Sequence, residues 1–260
     1  MFDKLPKIIA LDFDGVLCDG LIEYFQTTKR TYQQIWNPDD RTVIDDFTSS
    51  FYRLRPVIET GWEMPILLRA LVLGISEEKI LQDWATISQQ IVESEKLNPK
   101  EVVGKLDTVR DKWIESDLED WLRLHRFYPG VVDRVSKILN STTQLYIVTT
   151  KEGRFVKKLL QQQGIELDSN SIIGKECKRP KHQTLRQLIE AANEKNINLW
   201  FVEDRLKTLQ SVKQQPDLEG VGLYLADWGY NTERARESIR YDRDIKLLSL
   251  EQFRQDFSAW

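Results

Sequence analysis

The sequence predicts an α/β fold, a single parallel sheet covered by helices, with a long helical insertion after its first strand. Three observations predict it. A short apolar run, Ile8-Ile-Ala-Leu11, ends abruptly in Asp12-Phe-Asp14-Gly15. Residues 21–125 are helical in period and hold no convincing buried strand. From Phe127 onward strand, turn and helix alternate, the signature of a parallel sheet with covering helices.

The first run reads as a strand because its apolar residues sit between a Pro/Lys lead-in and a Gly-containing turn, as in a strand buried on both faces. Ligands of open α/β sheets gather at the carboxyl ends of such strands. Side chains two apart on an extended chain point the same way, so Asp12 and Asp14 can share one site while Phe13 points elsewhere. Gly15 lets the backbone turn sharply beside that site. Two carboxylates held together repel unless a proton or a hard cation lies between them, and oxygen-rich clusters of this kind suit Mg²⁺.

In the insertion, Tyr24, Phe25, Thr28, Tyr32 and Ile35 fall at helical spacing, and Trp36-Asn37-Pro38-Asp39-Asp40 closes that helix. A second block, Thr42 to Leu54, stops at Arg55-Pro56, since a residue before proline is pushed out of the helical region. Gly61 to Pro65 reads as a break before Ile66 to Leu73. Ser76-Glu77-Glu78 and Asn98-Pro99 are helix starts, and Ser116-x-x-Glu119 matches a capping box. The Trp and Tyr residues here are expected to form the insertion's own core. Arg53 and Arg55 flank breaks, where the choice lies between contact with an anionic substrate and plain solvation.

The second half reads as a helix over 131–139 and a strand, Leu145 to Val148, ending in Thr149-Thr150. A helix from Phe155 to Gln163 stops at Gly164, and Ile172-Ile173 is a short strand. The loop Gly174 to Lys181 enters a helix from His182 to about Lys195. Leu199 to Val202 is a strand ending in Glu203-Asp204, and Val221 to Leu225 leads to Asp227-Trp228-Gly229-Tyr230. A last strand, Ile245 to Leu248, precedes a C-terminal helix.

Composition bounds the function. A hydrophobic content of 41% supports an ordinary core, and a net charge of -4 argues against a general nucleic-acid binder or a membrane-surface protein. An anionic ligand must therefore meet a local positive site. No apolar run nears the ~20 residues of a membrane span. The start, Met-Phe-Asp-Lys-Leu-Pro, lacks a signal peptide's apolar core, so the cytoplasm is the expected compartment. Cys18 and Cys177 are too few for a disulfide framework or a structural zinc site, and both read as packing thiols. His125 and His182 read as structural.

Three strand ends thus offer Asp12/Asp14, Thr149/Thr150 and Glu203/Asp204, with a lysine on the loop entering the helix at His182. Together they suit phosphoryl transfer: a carboxylate can attack phosphorus, and the charge developing on the phosphoryl oxygens needs a metal, an ammonium and hydroxyl donors.

Asp12-Phe-Asp14-Gly15-Val-Leu resembles the first motif of the haloacid dehalogenase (HAD) superfamily, and the others follow in its order. Ile147-Val148-Thr149-Thr150-Lys151 is similar to the second, Arg179-Pro180-Lys181 to the third and Phe201-Val202-Glu203-Asp204 to the fourth. Tyr128-Pro129-Gly130-Val131 resembles the return from the cap, and Trp228-Gly229-Tyr230-Asn231 the segment after the fifth strand. The resemblance, phosphoglycolate-phosphatase-like, implies a Rossmann-like core (1–20 and 126–260) and a helical cap (21–125) that closes over the site. It implies Asp12 as nucleophile and Asp14 as acid/base. Mg²⁺ would be held by Asp12, the backbone carbonyl of Asp14, Asp204 and, directly or through water, Glu203. Thr149, Thr150 and Lys181 would bind the phosphate. Lys175 and Lys178 compete with Lys181, which is preferred because it directly precedes the helix. Thr208 stands where many members carry a further acid, which puts more weight on Glu203. The implied activity is Mg²⁺-dependent hydrolysis of a small phosphorylated metabolite, phosphoglycolate being one example, through an aspartyl-phosphate. The alternatives are a phosphomutase and a non-catalytic binding or regulatory protein.

Overall fold

The computed structural model describes residues 5–37, 43–192 and 198–260. Its contacts divide the chain into two compact units, Met1–Asp19 with Arg126–Trp260, and Gly20–His125.

The first unit is built on a parallel sheet of six strands in the order β5-β4-β1-β6-β7-β8. Its strands are β1 (Ile8–Leu11), β4 (Gln144–Val148), β5 (Ile172–Ile173), β6 (Leu199–Glu203), β7 (Gly222–Ala226) and β8 (Ile245–Leu248), and β2 (Cys18–Asp19) pairs antiparallel with β3 (Arg126–Phe127) as a separate ribbon. β1 lies centrally, with Leu11 facing Ile147 of β4 on one side and Val202 of β6 on the other. That register brings Asp12, Thr149 and Glu203 to the same end of three adjacent strands. β1 and β6 are buried along their whole length, as expected for strands covered on both faces. The parallel α/β architecture expected from the alternating pattern is the one observed.

The second unit holds α1 (Leu21–Trp36), α2 (Thr48–Leu54), α3 (Glu63–Val72), α4 (Glu77–Ser94), α5 (Pro99–Ser116) and α6 (Leu118–Leu122). Tyr32, Trp84, Trp113 and Trp121 are buried in it. At the centre, the buried Glu23 of α1 accepts hydrogen bonds from Thr27 Oγ1 (2.7 Å), Arg110 Nε (2.8 Å) and Trp121 Nε1 (3.1 Å), tying α1 to α5 and α6. Arg53 donates to both carboxylate oxygens of Glu77 (2.5 and 2.9 Å), a structural use.

Several local expectations change. The stretch Gly61 to Pro65 is not wholly a break: α3 begins at Glu63 and takes Pro65 in its first turn, where a proline's missing N–H costs nothing. The cap of α6 is Asp117, which accepts from Asp120 N at 2.9 Å, while Ser116 Oγ turns back to donate to Trp113 O. Asn98 and Ser76 cap as expected, the latter at a long 3.4 Å. Residues 38–40, at the close of the first expected helix, and 193–195, at the end of the helix from His182, lie outside the described residues. The ribbon β2–β3 is absent from the periodic pattern of the sequence, since two-residue strands leave no periodic signal.

In the first unit the helices are α7 (Val131–Leu139), α8 (Gly153–Gln162), α9 (Lys181–Ala191), α10 (Leu206–Lys213), α11 (Glu233–Ser238) and α12 (Leu250–Arg254). Among the described residues no helix is long and apolar enough to cross a membrane.

Candidate active site

Asp12 follows β1 directly, and its N–H donates to Val202 O (2.9 Å), so the strand's pairing continues up to the carboxylate. Beyond it the chain reverses around Phe13, whose carbonyl accepts from Leu17 N and Cys18 N, both at 2.9 Å. Gly15 occupies a left-handed conformation (φ 88°) with the Asp204 carboxylate pressed where a side chain would begin: a Cβ there would lie 2.2 Å from Asp204 Oδ2. Glycine is required at this position by both backbone and space.

Asp12, Glu203 and Asp204 form a buried cluster whose ligand atoms all lie within 4.8 Å of one another. Lys181, the first residue of α9, reaches into it: its Nζ lies 2.8 Å from Asp12 Oδ1 and 2.7 Å from Glu203 Oε2. The approach to Glu203 is a hydrogen bond, whereas that to Asp12 Oδ1 is off the directions a hydrogen bond requires, leaving a buried oxygen charge-paired but without a directed donor. Burial first, and Glu203 second, push the Asp12 carboxyl up to about 7 against the pull of Lys181. Glu203 and Asp204 are also raised, in each case chiefly by burial. Burial works to lower the Lys181 ammonium, but Asp12 and Glu203 outweigh it and hold the proton on above its ordinary value.

Glu203 is already committed. Its Oε1 accepts from Asp204 N (3.1 Å) and Arg205 N (3.0 Å), closing the turn after β6, while Oε2 takes Lys181. Asp204 is oriented from another side, by Tyr230 N donating to Oδ2 (2.8 Å). Asn231 Nδ2 bridges Asp204 O (3.1 Å) and Ala226 O (2.7 Å), and Tyr230 Oη donates to Asp19 Oδ1 (2.8 Å). The segment after β7 thus braces the Asp204 turn and the loop after β1 together.

Asp14 stands apart from the buried trio. Lys151 grips both its oxygens, at 3.1 and 3.2 Å, with the lysine side chain 9% exposed. Thr149 is buried at the end of β4 and its Oγ1 accepts from Lys151 N (3.1 Å), which leaves the hydroxyl proton to donate elsewhere. Thr150 is exposed, as are Lys175 and Lys178. Of the three competing lysines it is Lys181 that meets the acidic residues. Cys18 is buried and its thiol is pushed up chiefly by burial; Cys177 is half-buried. His125 Nδ1 contacts Trp121 O and His182 Nδ1 contacts Ser211 Oγ.

Sequence reasoning missed Lys151, Tyr230 and Asn231 as working parts. Lys151 is the last residue of the second motif and Tyr230-Asn231 lie in the segment after the fifth strand, so position alone could have drawn attention to them. Their partners could not have been named.

Three buried carboxylates, one with an oxygen lacking a directed donor, form a hard-oxygen set that fits a divalent cation. The Lys181 ammonium reaches into it, 2.8 Å from Asp12 and 2.7 Å from Glu203.

The model of the haloacid dehalogenase-like hydrolase family matches residues 6–214. The phosphoglycolate phosphatase of Pseudomonas putida is 24% identical over 233 residues, covering 88% of this chain and 72% of its own, and that of Pseudomonas syringae pv. syringae is 22% identical over 242 residues, covering 89% and 73%. Among solved structures, a predicted phosphatase from Clostridium acetobutylicum superposes with a TM-score of 0.59 at 14% identity, covering 96% of this chain and 97% of that one. A haloacid dehalogenase-like family protein from Streptococcus pneumoniae gives 0.57 at 14% identity, covering 93% of each. These superpositions speak for the fold.

Proposed function

The chain belongs to the haloacid dehalogenase-like hydrolase family, and from that premise we propose that it is a phosphatase, hydrolysing a small phosphorylated metabolite through an aspartyl-phosphate on Asp12. The observation that carries the reading is the buried Asp12 carboxylate at the end of the central strand, with Lys181 at 2.8 Å and Asp204 beside it. The phosphoglycolate phosphatases it resembles support a small substrate. Residues 21–125 are read as the cap and the remainder as the core.

In this reading Asp12 attacks phosphorus and the leaving alkoxide takes its proton from Asp14, which then removes a proton from the water that cleaves the acyl-phosphate. Lys181 and the Thr149 hydroxyl hold the phosphoryl oxygens. Lys151, gripping both oxygens of Asp14, aims that carboxylate. Glu203 serves by holding Lys181 and the turn that presents Asp204. Mg²⁺, held by Asp12, Asp204 and the backbone carbonyl of Asp14, would offset the charge of the phosphoryl group and of the carboxylates around it. Both Glu203 oxygens are engaged, which favours an indirect part for it in holding the metal.

The test is p-nitrophenyl phosphate hydrolysis with Mg²⁺ or EDTA, comparing the wild type with Asp12→Asn and Asp14→Asn. Metal-dependent turnover that both substitutions abolish is expected. Turnover undiminished in the Asp12 variant would overturn the mechanism, and isomerisation of a sugar phosphate without net phosphate release would favour a phosphomutase.

A further inference from the structure

The chain leaves the first unit after Asp19 and re-enters it at Arg126. The ribbon β2–β3 joins these two crossings, with Cys18 facing Phe127 and Asp19 facing Arg126. Neither strand of the ribbon belongs to the six-stranded sheet, so loops and side chains must fix it there.

The loop after β7 does so. Trp228 Nε1 donates to Val16 O (3.0 Å), on the approach to the first crossing. The Tyr230 hydroxyl donates to Asp19 Oδ1 (2.8 Å) and shares a hydrogen bond with the hydroxyl of Tyr128, just past β3, so one side chain touches both crossings. The backbone of the same residue holds the acid turn: its N–H donates to Asp204 Oδ2 (2.8 Å) and its carbonyl accepts from Arg205 Nη1 (2.7 Å). Gly229 allows this approach, since a Cβ there would lie 2.3 Å from Asp204 Cβ and 2.5 Å from Gly15 O. Tyr230 is 5% exposed, and a ring packed this closely cannot shift without moving its neighbours.

We propose that Tyr230 is a positioning residue that couples metal binding at Asp204 to the order of the two crossings. The proposal rests on the phosphatase reading, which supplies the metal. With Oδ2 fixed by the Tyr230 N–H, Asp204 presents its other oxygen in one orientation, and a cation is bound without the cost of ordering that side chain. A cation on Asp204 in turn stiffens the Tyr230 backbone, and the hydroxyl at the far end of the residue passes that order to Asp19 and Tyr128. The coupling is reciprocal by linkage: whatever loosens the crossings weakens the metal by the same factor.

The test measures amide hydrogen exchange of the full chain with and without Mg²⁺, and Mg²⁺ affinity by calorimetry. In the wild type Mg²⁺ should slow exchange at 17–19 and 126–128 by about fivefold or more. Tyr230→Phe keeps the ring and the backbone N–H but removes the hydroxyl, so the slowing at 126–128 should vanish and the Mg²⁺ dissociation constant should rise by a similar factor. Asp19→Ala, which removes the acceptor, should behave like Tyr230→Phe, while Asp19→Asn, which removes the charge and keeps an acceptor, should retain the slowing. Exchange that also quickens in β1 and β6 would mark Tyr230→Phe as having lost its fold, and Asp19→Ala then decides. Slowing at 126–128 that survives loss of the hydroxyl, or an unchanged Mg²⁺ affinity, overturns the proposal. So does equal loss of the slowing in Asp19→Asn and Asp19→Ala, since charge rather than the hydrogen bond would then carry the effect. Neither readout needs turnover: Mg²⁺ binding without wild-type hydrolysis would overturn the phosphatase reading alone, and hydrolysis without slowing at the crossings would overturn the coupling alone.

Discussion

Replacing Lys181 with methionine keeps the length of the side chain and removes the one ammonium set between Asp12 and Glu203, at 2.8 and 2.7 Å. Both acids, and Asp204 with them, are buried, so the loss leaves carboxylates facing one another without compensation. Removing one partner of a buried pair costs about 3–5 kcal/mol. For a chain of this size that is a fall in Tm of about 6–20 °C, at roughly 2–4 °C per kcal/mol. The acids can reduce this cost by protonating, which sets the pH dependence. The Asp12 carboxyl already sits at about 7, pushed up by burial and by Glu203, and Lys181 is what pulls it down, so its removal raises it further. A carboxyl raised in the folded state binds protons there that the unfolded chain, at about 4, has released. Stability therefore falls as pH rises between those two values. Urea titrations in EDTA should show the full loss near pH 8.5 and less than half of it near pH 5.5. Mg²⁺ should recover part of it by supplying positive charge. Equal stability of the two proteins near pH 8.5, or a loss that grows on acidification, would refute the reasoning.

Three further outcomes follow from the same geometry. Mg²⁺ should raise the Tm of the wild type more near pH 8 than near pH 5.5, because Asp12, at about 7, must lose its proton before it can ligate; equal shifts would remove Asp12 from the ligand set. Gly15→Ala should cost about 1–3 kcal/mol from the left-handed backbone alone, with more from the 2.2 Å approach to Asp204, and should blunt the Mg²⁺-induced Tm shift; a wild-type response would show that the Asp204 carboxylate is not held there. Lys151→Met should lower kcat by about tenfold to a hundredfold with little change in KM, and Lys151→Arg should restore part of it; wild-type kcat in the methionine variant would exclude an aiming role for the pair with Asp14.

What the sequence determined by itself is whatever follows from neighbours along the chain. Apolar runs ending in acids and hydroxyls marked β1, β4 and β6, and the helical period over 21–125 separated the insertion from the sheet. The ordered motifs singled out Asp12, Thr149, Lys181 and Asp204 before any contact was known. Where local rules compete, that reading slipped by a residue or two, as at Pro65 and at Asp117. Only the tertiary structure decided the strand order, the contacts of Lys181 with Asp12 and Glu203, the full engagement of Glu203, the grip of Lys151 on Asp14 and the bracing of Asp204 by Tyr230 and Asn231. The physical reason is common to all of these. A side chain's partner is chosen by which strand ends the parallel register delivers to the same few ångströms, and Asp14 and Lys151 meet across 137 positions of sequence that carry no local record of the encounter.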